Sequence, residues 1–263
     1  MNWLADGLAY LFDGSNWSGD GGLGQRLVEH IVLSAAVVVI GVLVAVPAGL
    51  WIGHTGRGST LVINIGNIGR AVPVYAAVVL LVLAPAPFGV ANLTRCVVTA
   101  LVLFCIPPLL TNTYVGMREV DRDLVEAATG MGMTGSQVLR RVELPLAMPL
   151  ILNGVRLAAV QTVATATIAG LVGGGGLGRT INAAFVAQDR AALVAGSLLV
   201  TLLALATEVL LAVVQRGVDL RRRADRAARR SGTVVPGVEL TVEDPALTAS
   251  ARARQVGSGV GGS

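Results

Sequence analysis

Apolar residues run almost unbroken through five stretches of this chain: about Leu27 to Ile52, Leu61 to Leu83, Ala91 to Tyr114, Leu146 to Val172 and Ala191 to Val214. A helix needs roughly 20 mostly apolar residues to cross a bilayer, so each stretch predicts a spanning helix and the whole an all-α, polytopic membrane protein. The polar connectors divide by charge. His54 and Arg57 follow the first span; Arg118, Arg122, Arg140 and Arg141 follow the third; "QRGVDLRRRADRAARR" follows the fifth, while the alternate segments hold Arg26, Arg95, Arg179 and Arg190. Positive charge collects on the inner face, which predicts an outer amino terminus and a cytoplasmic carboxyl terminus.

Composition agrees: of 263 residues 54% are hydrophobic and 14% charged, with a mean hydropathy of +0.72, too apolar for an ordinary soluble domain. The opening "MNWLADGLAYLFDGSNWSGD" has no basic start and carries Asp6, Asp13 and Asp20, so it does not read as a cleavable signal; its short apolar run is expected at the membrane surface. Three regions follow: residues 1–26 outside, 27–215 as the membrane domain with a cytoplasmic loop at 118–145, and 216–263 as a basic, then Gly-, Pro- and Ser-rich tail expected to be disordered. Its arginines suit a stop-transfer anchor better than a binding patch.

All basic residues are arginine or histidine; without lysine there is no phosphate-binding Gly-Lys-Ser/Thr loop, so any ATP is hydrolysed by another chain. Cys96 and Cys105 lie about 13.5 Å apart along one helix, too far to bridge, and read as buried apolar residues. "GGGGLG", Gly173 to Gly178, matches a dinucleotide fingerprint only in letters, because a membrane span rather than a strand precedes it. Two readings remain for it: a flexible outer turn near a docking binding protein, or a tight helix-to-helix approach.

The loop "VEAATGMGMTGSQVLRRVELPL" reads as two short helices around a glycine elbow. Asp121 caps the first, with Leu124, Val125 and Ala128 on one side; Gly130 and Gly132 break it. Thr134 and Gln137 have capping-box spacing for the second, whose far limit Pro145 marks. Such a segment between two spans is a lever: pushed, it moves them.

"EAATGMG", Glu126 to Gly132, and after nine residues "VELP", Val142 to Pro145, resemble the EAA signature of ABC-importer permeases, with Val142 in place of Ile. The likeness extends over about Leu27 to Gln215, and "NTYVGMREVD", "VELPLAMPLILNGVR" and "GGGGLGRTI" are similar to the quaternary-amine branch, which takes up glycine betaine, choline or carnitine. The resemblance implies the type I importer permease fold in a bacterial or archaeal cell membrane. It implies a non-catalytic chain working with a second permease chain, identical or paralogous, and an ATP-binding subunit dimer that carries ATP and magnesium. A separate extracytoplasmic binding protein captures solute; no cofactor, metal or nucleic acid belongs to the permease itself. On this likeness Glu126 contacts the ATPase, Ala127 and Ala128 keep the docking face slim, Gly132 sets the elbow, and Leu144 with Pro145 ends the lever. Relatives commonly read Gln-Thr-Ile-Pro in span two where this chain has Arg70-Ala71-Val72-Pro73, and methionine-type permeases share a similar glycine segment, so amino-acid uptake is the runner-up.

Polar groups inside a membrane face protein or water. Asn64, Asn67 and Arg70 recur every three residues up to Pro73, which makes Asn67, Arg70 and Pro73 candidates for the translocation path, with Asn112, Gln161 and Thr165. Arg70 equally suits helix-end carbonyls or a neighbouring acid, and the others suit interhelical hydrogen bonds. Arg156 and Glu208, alone of their charge in spans four and five and similar in depth, are expected to pair. A secondary transporter would need ionisable coupling sites and usually repeated halves, neither of which is evident. At 4% aromatic, the chain is also poor in the rings that hold a methylated cation.

Overall fold

The computed structural model describes residues 2–84 and 92–231, with side chains as far as Gly217 except Arg70. The described residues as far as Asp219 group as one compact unit. In chain order the helices are α1 (Trp3–Phe12), a 3-10 turn (Gly14–Trp17), α2 (Leu23–Thr55), α3 (Ser59–Ala71), α4 (Val74–Leu83), α5 (Leu93–Arg118) and α6 (Arg122–Gly130). There follow α7 (Gly135–Val138), a π turn (Leu139–Glu143), α8 (Leu144–Thr165), α9 (Ile168–Leu171), α10 (Leu177–Ala187) and α11 (Arg190–Ser231). Among the described residues there is no strand.

α5 stands at the centre, with α2, α8 and α3 around it. Lipid offers no hydrophobic drive between apolar helices, so close packing of small residues decides which of them meet. On α2, Gly41, Ala45, Gly49 and Gly53 recur every four residues and are buried. They face Cys105, Leu109, Thr113 and Met117 of α5, also four apart and buried. A Cβ at Gly41 would stand 3.0 Å from Cys105 Sγ, and one at Gly49 2.7 Å from Thr113 Cβ. α8 meets the other side of α5 through Gly154, whose Cβ would fall 2.6 Å from Asn112 Cβ, and α3 meets it through Gly66 and Gly69. Pro47, Pro107, Pro108 and Pro149 lie inside helices that nevertheless continue.

Span two departs from the single helix expected over Leu61 to Leu83. Ser59–Gly69 and Val74–Leu83 meet at 90°, so among the described residues four helices are individually long and apolar enough to cross, or five if the bent pair counts as one span. The cause is Pro73: it lacks an N–H and pushes the preceding residue out of the helical region, and Val72 has ψ 121°.

Span four differs at both ends. α8 stops at Thr165 and the short α9 follows, while at its start no break separates it from α7: Gly135–Leu171 runs as one apolar path. Pro145 therefore lies within a continuous helical path instead of closing α7. A proline is tolerated in the first turn of a helix, and the π turn leads into it, with the Leu144 N–H bonding back to Leu139 O.

α11 extends to Ser231; the tail expected to be disordered lies outside the described residues. Only 11% of the most apolar part of α11 is buried, and an apolar groove of about 440 Å³ lined by Val38, Ala159, Leu203 and Leu210 separates it from α2 and α8. α1 rests on α11 at Gly7, which leaves no room for a side chain beside Val194, while Leu4, Leu8 and Phe12 are exposed.

Candidate functional site

The segment from Asp121 to Pro145 folds by local rules. Asp121 Oδ1 accepts the Asp123 N–H at 3.0 Å and starts α6. Its other end is closed by Gly132, whose φ of +85° is left-handed, with Met133 N–H donating to Ala128 O at 3.2 Å and Gly132 N–H to Thr129 O at 2.9 Å. Gln137 Oε1 then accepts the Thr134 N–H at 2.8 Å, closing the capping box of α7.

Glu126 and Ala127 are exposed on α6. Two expectations are corrected here. Ala128 is 3% exposed, so it packs against its own fold and is no part of a docking face; Leu124, expected beside it, is 50% exposed. The physical reason is register: Val125 packs with Met117 and Leu139 and Ala128 is buried three positions on, which leaves Leu124, Ala127 and Met131 on the outer side. With Met131 at 78% exposure, this is a bare apolar strip beside a free carboxylate.

Glu143, from the VELP motif, is 1% exposed and pairs with His54 Nδ1 on the last turn of α2. The opposite ring nitrogen of His54 lies 3.6 Å from where a Gly135 Cβ would stand, so one imidazole reaches both ends of the α7–π-turn stretch. Neither residue stood out in the sequence beyond its charge. The signal that could have found them is an acid between Val142 and Leu144, where the apolar pattern requires burial.

Within the membrane, Asn153 Nδ2 donates to Asn112 Oδ1 at 3.5 Å, and Asn112 Nδ2 donates to Pro108 O at 2.8 Å. Arg156 lies 3.1 Å from Glu208 Oε1 and donates to Gln215 Oε1 at 3.2 Å; Gln215 Nε2 donates to Pro149 O at 3.4 Å. These polar ties clip the loosely packed α11 to α8. Replacing Arg156 with Met should destabilise the protein by about 1–3 kcal/mol, because Glu208 is left without its partner. Adding Glu208→Leu should restore most of that loss, since an ion pair held at membrane depth, away from water, is close to break-even against apolar substitutes. Thermal unfolding of the two variants in lipid nanodiscs checks this; equal stability of the single and double variants contradicts it.

Asn67 and Pro73 are exposed, Gln161 and Thr165 are half-buried, and none of the four is tied into the Asn112 or Arg156 chains. The side chain of Arg70 lies outside the described residues. Among those described, no three of His, Cys, Asp and Glu cluster closely enough to hold a metal ion.

The glycine turn from Gly173 to Gly176 is seated on the other end of α2. Glu29 Oε2 accepts the Gly176 N–H at 2.8 Å, and the fully buried His30 bonds Val163 O through Nε2 at 2.9 Å. Behind the turn, α9 and α10 approach so closely that a Cβ at Gly178 would overlap the Thr167 carbonyl oxygen. The tight helix-to-helix approach is thus built in.

Residues 38–223 match the family described as binding-protein-dependent transport system inner membrane component. The choline transport system permease protein OpuBB of Bacillus subtilis (strain 168) is 37% identical over 196 residues, covering 74% of this chain and 88% of that protein. The carnitine transport permease protein OpuCD of Listeria monocytogenes is 38% identical over 189 residues, covering 72% and 82%. Among solved structures, a chain of the MetNI methionine ABC transporter in an inward-facing conformation superposes with a TM-score of 0.66 at 22% identity, covering 74% of this chain and 95% of that one.

Proposed function

The chain belongs to the binding-protein-dependent transport system inner membrane components, and from that premise we propose that it is the membrane path of an ATP-driven importer for a quaternary-amine osmoprotectant such as choline, carnitine or glycine betaine. The observation that carries this is the similarity to OpuBB across most of both chains. The exposed strip of Leu124, Ala127 and Met131 beside Glu126 supports it, because on the inner face that the arginine distribution favours it would be bare for a separate ATP-binding subunit.

In this scheme two permease chains, alike or paralogous, enclose the path and two ATP-binding subunits sit on their inner faces. ATP and magnesium are held there, and the permease itself catalyses nothing. Glu126 and Ala127 contact the ATPase; Gly132 holds α6 and α7 at their angle; Leu144 and Pro145 pass the motion directly into α8 because no break intervenes. The amino terminus lies outside and the carboxyl terminus inside, as the arginine distribution favours. Asn64 and Asn67 are exposed on a spanning helix, and amides facing lipid are costly, which favours their lying against a second permease chain or the water-filled path, with Gln161 and Thr165 as further candidates. With 4% aromatic residues, the chain leaves capture of a methylated cation to an extracytoplasmic binding protein.

The test is uptake of labelled glycine betaine, choline, carnitine and methionine by cells expressing the complete system in a host stripped of its own uptake routes. At least one quaternary amine should accumulate about tenfold or more above vector cells, a difference of roughly 1.4 kcal/mol in transition-state terms. Accumulation of methionine alone would overturn the substrate assignment.

A further inference from the structure

We propose that His54 and Glu143 form a strut through which displacement of the α6–α7 segment reaches α2 as well as α8. This rests on the preceding assignment of that segment as the contact with an ATP-binding subunit.

α8 needs no special device, since it continues from α7 through the π turn without interruption. α2 does: it is linked to the segment neither by chain continuity nor by the seam with α5, which lies along its other small residues. Beyond the apolar packing of Val46 and Leu50 against the same cluster, what links them is a polar contact in an apolar floor. Met117, Val120, Ala147 and Ile151 are buried there, with Leu50, Leu139 and Leu144 packed against them. A carboxylate in such a place requires a partner. Arg118, Arg140 and Arg141 are exposed, and among the described residues His54 is the ionisable group within ion-pair distance of Glu143. The π turn explains the aim: its extra residue per turn rotates Glu143 inward while Arg140 and Arg141 stay outside. The far side of the His54 ring rests near Gly135, at the start of α7. The ring is therefore bound to the π turn through Glu143 and stands beside the start of α7, so that a shift of the segment pulls on the last turn of α2 through the Glu143 contact.

A static pin would occupy the same positions, and the two roles differ in what they do to energy coupling. Permease, ATP-binding subunit and binding protein are reconstituted together in proteoliposomes, and solute uptake and ATP hydrolysis are read in the same preparation. His54→Ala and Glu143→Ala are each expected to raise ATP hydrolysed per solute imported by about fivefold, with the double variant no worse than either single, the sign of one shared contact. Glu143→Gln, which keeps an oxygen facing the ring, should stay within about twofold of wild type. A pin predicts that uptake and hydrolysis fall by the same factor, and that unchanged ratio, or multiplicative single effects, overturns the proposal. Should the alanine variants not assemble, His54→Asn and Glu143→Asp, which shorten the reach, are expected to raise the ratio at least about twofold, and an unchanged ratio again overturns it. A wild-type complex whose uptake proceeds without ATP hydrolysis would instead sink the importer assignment, and the strut with it.

Discussion

Gly178→Ala is expected to remove most of the folded protein, cutting the monodisperse yield in detergent by about tenfold or more. Gly170 and Gly178 meet backbone to backbone where α9 and α10 pack. A Cβ on Gly178 would overlap the Thr167 carbonyl oxygen, and one on Gly170 would overlap the Gly178 carbonyl carbon. Neither neighbour is the free end of a side chain that can swing away. Overpacking typically costs about 1–3 kcal/mol, and rigid backbone puts this case at the upper end. The displaced hairpin also pulls on the Glu29 and Gly176 contact, so the damage spreads to α2. Gly130→Ala is the control: nothing stands within 4 Å of its Cβ, and a helical alanine there should change stability by less than about 0.5 kcal/mol. Size-exclusion profiles and melting temperatures of the two variants decide the matter, and wild-type behaviour of Gly178→Ala would show that the hairpin can open without cost.

Gly132→Val should abolish co-purification with the ATP-binding subunit and reduce uptake by about a hundredfold, which is close to 2.7 kcal/mol of lost coupling. The route differs from the one above. A Cβ at Gly132 meets nothing within 4 Å, so there is no clash to relieve. The penalty comes from φ +85°, where a β-branched side chain is strained by about 1–3 kcal/mol. The chain escapes by rotating that residue, which undoes the Met133 and Gly132 bonds closing α6 and changes the angle at which α7 leaves it. Gly132→Asn, which tolerates the left-handed region, should keep uptake within about threefold of wild type. The valine variant should still fold, because the membrane helices do not depend on the elbow. Pull-down and uptake on the same membranes provide the check, and full binding by Gly132→Val would mean the elbow angle is irrelevant to docking.

Much of the architecture was legible because it rests on local chemistry. The apolar runs announce the spanning helices; Asp121, Gly132 and Gln137 act over two to five residues, and the structure uses them at the positions their spacing implies. Span two reads as a single helix because hydropathy continues straight across Val72 and Pro73 while the backbone does not. Pro145 differs for the complementary reason: a proline that stops a helix and one that begins a helix look alike in sequence, and only the preceding π turn distinguishes them. Ala128 faces inward because the sequence carried enough apolar residues for two sides of α6 and could not say which side meets the fold. The His54 and Glu143 contact was invisible, since it joins residues 89 positions apart. The glycine spacing on α2, four small residues at four-residue intervals, marks the seam with α5 in the sequence itself.

α2 has a grip at each end. Glu29 and His30 hold the glycine turn near one end, His54 holds Glu143 at the other, and the 24 positions from His30 to His54 correspond to about 36 Å of helix. That slightly exceeds the roughly 30 Å hydrocarbon thickness, so the two grips fall at opposite faces of the bilayer. The smooth glycine track lies between them, with Gly41 near the midpoint. For a rod so arranged, any tilt about that midpoint would drive the two ends in opposite directions, tightening a contact at one face while loosening one at the other.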